Sequence, residues 1–306
     1  MTPCAACGEP LPEQPGLRGF DRLYGRGGDY SVAVCAACGS GRTLPLVSSE
    51  ELASFYPAEY DAHGLPANPL LRSLAGALSE RRYRRAFSTE PWRALLQRSP
   101  GRLLDVGSGR GDLGVFLGRS GWQVTGLEPS PGAVAEARDR GILAEQGTLT
   151  DGTPREGGYG ALVFNHSLEH VVEPLDDLSV AFELLEPGGL VLVSLPNFGS
   201  WQARQFGARW FHLDLPRHRT HFTERGLEAL FRRAGFTRIR TASATSADGL
   251  PMSLQYRLLG RRRLACGAGR YASIAATLGL VPLTVVAGKV AGDGDLLQAV
   301  AERPRV

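Results

Sequence analysis

Residues 102 to 117, RLLDVGSGRGDLGVFL, constrain the fold of this 306-residue chain more than any other stretch, because they read as strand, glycine turn and helix start in one run. Leu103, Leu104 and Val106 suit a parallel strand buried on both faces. Gly107, Gly109 and Gly111 then let the backbone turn tightly and approach a ligand with no Cβ in the way. A second apolar run, WQVTGLEP, carries Glu128 near its end, where open α/β sheets set an acid against ribose hydroxyls. Together the two runs predict a nucleoside-bearing cofactor at the carboxyl edge of a parallel sheet.

Spacing alone leaves two cofactors open. Gly109, Gly111 and Gly114 also spell GxGxxG, with Glu128 near the roughly 20 residues beyond that a dinucleotide fingerprint requires. An NAD(P)-dependent oxidoreductase is therefore one reading, and a non-catalytic cofactor-binding protein that docks partners is another.

The flanking sequence alternates strand and helix patterns: QVTGLE, AVAEARDR, ILAEQ, ALVFNH, DDLSVAFELL and LVLVSLPN follow in turn. Such alternation predicts a parallel sheet wrapped by helices over residues 99–248. Thr223 caps a helix at TERGLEALFRRAGF, a strand follows near Thr237 to Thr241, and residues 293–306 supply a final antiparallel edge strand. Residues 48–98 read as connecting helices, the first capped by serine and carrying Leu52, Phe55 and Tyr56, with the arginines at 81–85 on a solvated face.

Residues 249–292 are a helical insertion. Four arginines lie between Tyr256 and Arg263, followed by seventeen uncharged residues from Tyr271 to Ala287. That run is shorter than the about 20 apolar residues of a spanning helix and is interrupted by Pro282. It reads as a buried or substrate-covering hairpin, with peripheral membrane contact through 249–292 as a second reading.

Cysteines organise the N-terminus. Cys4 and Cys7, then Cys35 and Cys38, form two Cys-x-x-Cys pairs, each followed by glycine, and four thiolates suit a tetrahedral structural zinc with no open position. Residues 1–47 are therefore a zinc-binding ribbon, and the solitary Cys266 is a buried apolar residue. MTPCAACGEP has neither a basic start nor an apolar stretch, which predicts a cytoplasmic, membrane-associated at most, location. A net charge of +3, with Lys289 the only lysine, gives no nucleic-acid surface.

Five of the six histidines fall between 166 and 221, in NHSLEHV and WFHLDLPRHRTHF, both after strand ends. His166, Glu169 and His170 share one face if a helical turn forms. His166 is the first candidate for a base, with His170 and His218 beside it. Residues 198 to 222 exceed an ordinary connection and read as a lid, with Trp201, Trp210 and Phe211 walling a pocket or packing the lid down.

Asp105 inside the strand, glycine two residues later, NHSLEHVVEP and LLEPGGLVLVSLPN resemble class I S-adenosylmethionine-dependent methyltransferases. The resemblance implies a Rossmann-like, seven-stranded, doubly wound sheet. It also implies that Asp105, Gly107, Gly109 and Gly111 line the methionine end of S-adenosyl-L-methionine, Glu128 the ribose, Gly147 and Thr148 the adenine, and Asn165 or His166 the amino group.

LEHV is similar to ubiquinone-pathway O-methyltransferases, some of which hold a divalent cation with Glu-x-x-Glu-His. Here His166 stands at the first glutamate. The ribbon, EELASFYPAEYD, PNFGSW and WFHLDLPRHRTHFT together look like a bacterial natural-product and cell-surface glycan methyltransferase family. Sugar C-methyltransferases with such a ribbon continue into a third domain, so the resemblance implies O-methylation of a small-molecule, sugar or lipid-linked glycan acceptor.

Overall fold

The computed structural model describes residues 2–48, 51–52, 54–56, 69–151, 156–260, 279 and 293–305. In chain order, strands β1 (Leu17–Gly19), β2 (Tyr30–Val34) and β3 (Gly41–Leu44) precede helices α1 (Pro69–Phe87) and α2 (Arg93–Leu96). The core follows as β4 (Arg102–Val106), α3 (Asp112–Gly118), β5 (Gln123–Glu128), α4 (Pro131–Asp139), β6 (Leu143–Gln146), β7 (Tyr159–Asn165), α5 (Pro174–Leu184) and β8 (Leu185–Pro196). Then come α6 (Trp201–Phe206), β9 (Thr220–His221), α7 (Glu224–Arg233), β10 (Thr237–Ala244), α8 (Gly249–Leu259) and β11 (Leu296–Glu302).

Seven strands form the main sheet in the order β10-β11-β8-β7-β4-β5-β6. The pairs from β8 through β6 are parallel, as the strand-helix alternation predicts, while β11 runs antiparallel to both neighbours. One expectation is corrected here. β11 is not the edge strand: its five central residues are buried between β8 and β10, and the half-exposed β10 forms the edge. An apolar strand covered on both faces gains more from the interior position, but its short sequence pattern does not encode which neighbours it takes.

The second sheet joins the ribbon to the lid. Its order is β1-β2-β3-β9, so the lid contributes a strand to the ribbon, with Gly41 opposite His221 and Arg42 opposite Thr220. Tyr30, Val32, Phe206, Trp210, Leu213 and Leu215 share one core across this junction. Trp210 is fully buried against Phe198, so it packs the lid down.

Arg217 fastens the same junction. It has no exposure, and its guanidinium reaches Asp21 Oδ1 at 2.6 Å, Asp214 Oδ1 at 2.6 Å and the Phe55 carbonyl at 3.1 Å.

α8 continues this packing, since the Phe211 amide donates to Ser253 Oγ at 3.0 Å and Leu250 joins the lid core. The remainder of the 249–292 insertion, with Cys266 and the segment read for membrane contact, lies outside the described residues apart from Gly260 and Gly279. Among described residues no helix is long and apolar enough to cross a membrane.

Where β11 begins, Asp295 is fully buried and accepts from His212 Nε2 at 3.0 Å and from the amide of Ser246 at 2.8 Å. Burial alone would push the imidazolium of His212 down, but Asp295 holds it above its ordinary value. Stability from this pair is therefore fully present below about pH 6.5 and is lost as pH rises through the elevated value. Asp295→Ala should cost about 3–5 kcal/mol by stranding the imidazolium. Thermal melts across pH check both statements, and His212→Gln should flatten the alkaline decline.

Candidate active site and metal centre

The glycine turn after β4 has the shape its sequence predicts. Gly107, Gly109 and Gly111 all take positive φ, at 73°, 52° and 79°. A Cβ on Gly107 would lie 2.5 Å from the Cβ of Ser167, so chain conformation and close approach both require glycine there. Ser167 in turn donates to the Val106 carbonyl at 2.6 Å, tying the end of β7 to the turn. Nothing in the local sequence marks Ser167, because its partner lies 61 residues away.

Glu128 closes the turn from β5. Its carboxylate accepts from the Gly109 amide and the Ser130 amide, each at 2.9 Å. Asp105 is buried on the adjacent strand, and burial, followed by the charge of Glu128, pushes its carboxyl up to about 7. Ser108 Oγ is buried without a hydrogen-bond partner at the same turn. Two acids and a Cβ-free cradle fit a cofactor with ribose hydroxyls and a cationic methionine end. Gly147 donates its amide to the Glu128 carbonyl at 3.1 Å, and the Thr148 amide donates to Asp151 Oδ2 at 2.9 Å.

Next to this turn, β7 ends at Asn165, and His166 follows with φ 59°, an uncommon conformation for a residue with a side chain. That backbone directs His166 Nδ1 to 3.6 Å from Glu169 Oε1. Glu169 is 1% exposed, yet neither carboxylate oxygen has a hydrogen-bond partner. Burial pushes this carboxyl up, but His166, His170 and His218 around it hold it down to about 2.

His170 and His218 pack edge to face, their centroids 4.7 Å apart, although 48 positions separate them. Burial, with His170 nearby, pushes His218 down to about 4, so its imidazole is neutral at neutral pH. His218 Nδ1 lies 2.8 Å from the His212 carbonyl and its Nε2 4.0 Å from both Glu169 Oε1 and Asp214 Oδ2. Tyr56 Oη lies 3.1 Å from His170 Nδ1, bringing the connecting segment to the cluster. The turn, β7 and the lid thus unite His166, His170 and His218 around one carboxylate.

The four cysteines also converge. Cys4 Sγ lies 3.7 Å from Cys38 Sγ and Cys7 Sγ 3.5 Å from Cys35 Sγ, with all four sulfurs within 4.8 Å of one another. A tetrahedron with zinc–sulfur bonds of about 2.3 Å has edges of about 3.8 Å, so the group fits the ion. Gly8 and Gly39 take positive φ and donate to the carbonyls of Cys4 and Cys35, each at 2.9 Å, which explains the glycine after each pair.

A methyltransferase-domain family model matches residues 79–241, more than half of the chain. The chain belongs to the methyltransferase-domain family. The GxGxxG spacing therefore lies within a methyltransferase domain. A ubiquinone biosynthesis O-methyltransferase of Cereibacter sphaeroides is 35% identical over 150 residues, covering 44% of this chain and 59% of that protein. A protein of the same description from Xanthomonas oryzae is 29% identical over 140 residues, covering 43% and 59%. The match thus spans about three fifths of these relatives.

A SAM-dependent methyltransferase from Archaeoglobus fulgidus shares the family fold at a TM-score of 0.51 and 14% identity, covering 74% of this chain and 94% of that one.

Proposed function

We propose that this chain transfers the methyl group of S-adenosylmethionine to an oxygen of a small-molecule, sugar or lipid-linked glycan acceptor. The observation that carries this reading is His166, held at the end of β7 with its Nδ1 3.6 Å from the buried, unpartnered Glu169 carboxylate. The similarity to O-methyltransferases supports oxygen as the acceptor atom.

The bound cofactor supplies an activated methyl group, so covalent catalysis by the protein is unnecessary. Gly107, Gly109 and Gly111 make room for it, Glu128 receives the ribose hydroxyls, and Asp105 faces its cationic methionine end. Thr148 borders the adenine, and the Asn165 carbonyl receives the amino group. His166 accepts the proton of the acceptor hydroxyl through Nε2, while Glu169 orients the ring through Nδ1 and stabilises the imidazolium. The proton then leaves through the exposed side of His166, whose side chain is 36% accessible.

A structural zinc on Cys4, Cys7, Cys35 and Cys38 holds the ribbon that bears the lid. All four positions are filled by sulfur, so it takes no part in the chemistry.

Incubation with isotopically labelled S-adenosylmethionine and an acceptor panel, read by mass spectrometry, tests the function. Label on an acceptor oxygen is the expected product; label on carbon or nitrogen alone would overturn the O-methylation reading.

Asp105 gives the cofactor site a pH signature. A cationic ligand favours the carboxylate, so binding releases a proton below about pH 7. S-adenosylmethionine affinity should rise with pH, by up to about tenfold per unit, and level off above 7. Asp105→Asn should flatten that profile and weaken binding by about 10- to 150-fold. Calorimetric titration from pH 6 to 8 checks both, and an unchanged profile in the variant would exclude Asp105.

A further inference from the structure

We propose that Glu169, His170 and His218 form a second metal site, which holds a divalent transition-metal cation through one carboxylate and two imidazoles. One ligand atom from each residue lies within 4.8 Å of the others. The donor set differs from the Glu-x-x-Glu-His pattern, because His166 is not in it and the third donor comes from the lid.

Three observations point to a ligand. First, the Glu169 carboxylate is buried, and both its oxygens lack hydrogen-bond partners. An anion in that position is costly unless a cation meets it, and among described residues no arginine or lysine does.

Second, each imidazole is anchored through Nδ1. His218 Nδ1 donates to the His212 carbonyl at 2.8 Å, and His170 Nδ1 to the Arg217 carbonyl at 3.0 Å. Both Nε2 lone pairs are then available, which is how metal-ligating histidines are held.

Third, the segment carrying His218 is itself fixed. The fully buried Arg217 beside it binds Asp21, Asp214 and the Phe55 carbonyl, and Thr43 Oγ1 donates to the His218 carbonyl at 2.6 Å. His218 Nε2 lies 4.0 Å from Glu169 Oε1. Donors about 2.0–2.2 Å from one cation are separated by roughly 3.3 Å, so this pair closes with a shift of less than about an ångström, and the whole group, within 4.8 Å, with one of at most about 1.5 Å. Two nitrogens and one carboxylate select zinc, iron, cobalt or manganese over calcium, and three protein ligands leave positions open.

The site is compatible with the role given to His166. His166 Nδ1 and His218 Nε2 both face Oε1, while Oε2 has no hydrogen-bond partner, so a rotation of the carboxylate lets one oxygen ligate the cation and the other face His166. Resting on the methyl-transfer reading, an acceptor hydroxyl at an open position would ionise more readily beside that base. The metal site itself does not depend on this consequence.

Metal binding is therefore measured without acceptor. The full chain, with zinc in its cysteine cluster, is titrated with Co2+ alone and followed by absorption and X-ray absorption spectroscopy. A second equivalent with a nitrogen and oxygen shell, and no thiolate-to-cobalt charge transfer, is expected. Glu169→Gln and His218→Gln should each weaken it at least tenfold while retaining the cluster zinc and S-adenosylhomocysteine binding.

A wild-type chain that takes up no second equivalent, or takes it up on sulfur, would overturn the site. So would retention of full affinity in both variants. Because the wild-type stoichiometry and shell are decisive alone, a variant that loses its cluster zinc through misfolding does not blunt the test.

Discussion

Stripping the proposed zinc from Cys4, Cys7, Cys35 and Cys38 should lower the melting temperature by about 10 °C or more and abolish methyl transfer. Structural zinc contributes on the order of 10 kcal/mol in small modules, comparable with the whole stability of a domain. The cluster also ties the ribbon to the core, which is bonded to it at several points. Thr223 Oγ1 donates to the Cys38 carbonyl at 2.7 Å, the Thr223 amide to Ser40 Oγ at 3.2 Å, and Arg233 to the Ala6 carbonyl at 2.9 Å. Thr223 also caps α7, accepting from the Gly226 amide at 3.1 Å.

Release of the cluster therefore frees the α7 cap and the β3 partner of β9 together. β9 carries His221, whose Nε2 lies 2.9 Å from Thr43 Oγ1, and the same hydroxyl holds the His218 carbonyl. Loss should consequently fall on the acceptor side, while the β4 turn keeps most of its affinity for S-adenosylhomocysteine. Calorimetric scanning and inhibitor titration of Cys35→Ser, with metal content measured in parallel, check this. A metal-free chain that melts with the wild type would remove zinc from the structural account.

What could be read in the sequence was what the chain encodes locally. The β4 turn depends on three glycines within five positions, and the Cys-x-x-Cys-Gly pairs carry their own turn geometry, so neither needs distant information. The histidine cluster was legible only as a concentration of residue type. That Glu169 meets His218 depends on the lid lying across β7, and that lid is fixed by Arg217 and Asp21, 196 positions apart.

Arg217 was not legible either, since nothing in PRHRTHF marks one of its arginines as fully buried. β11 was legible in part. Its apolar pattern reveals a covered strand, but neighbour choice in a sheet is a tertiary decision, made here by the exposed face of β10.

His166→Gln should reduce kcat by about 10²- to 10⁴-fold while leaving the affinity for S-adenosylmethionine nearly unchanged, the signature of a lost proton acceptor. Glutamine keeps a polar side chain near Glu169 but cannot take the proton. A purely structural histidine would give a different pattern. At φ 59° the residue sits where glycine is favoured, and a side chain there costs about 1–2 kcal/mol.

His166→Gly should therefore fold with stability within about 1 kcal/mol of the wild type and still lose turnover, with partial rescue by added imidazole. Strain kept at the end of β7 then has its reason in the reaction and not in the fold. Single-turnover transfer from labelled cofactor, alongside denaturant melts, separates these outcomes. Should both variants turn over within threefold of the wild type, His166 is not the base, and the acceptor proton leaves by a route that does not involve it.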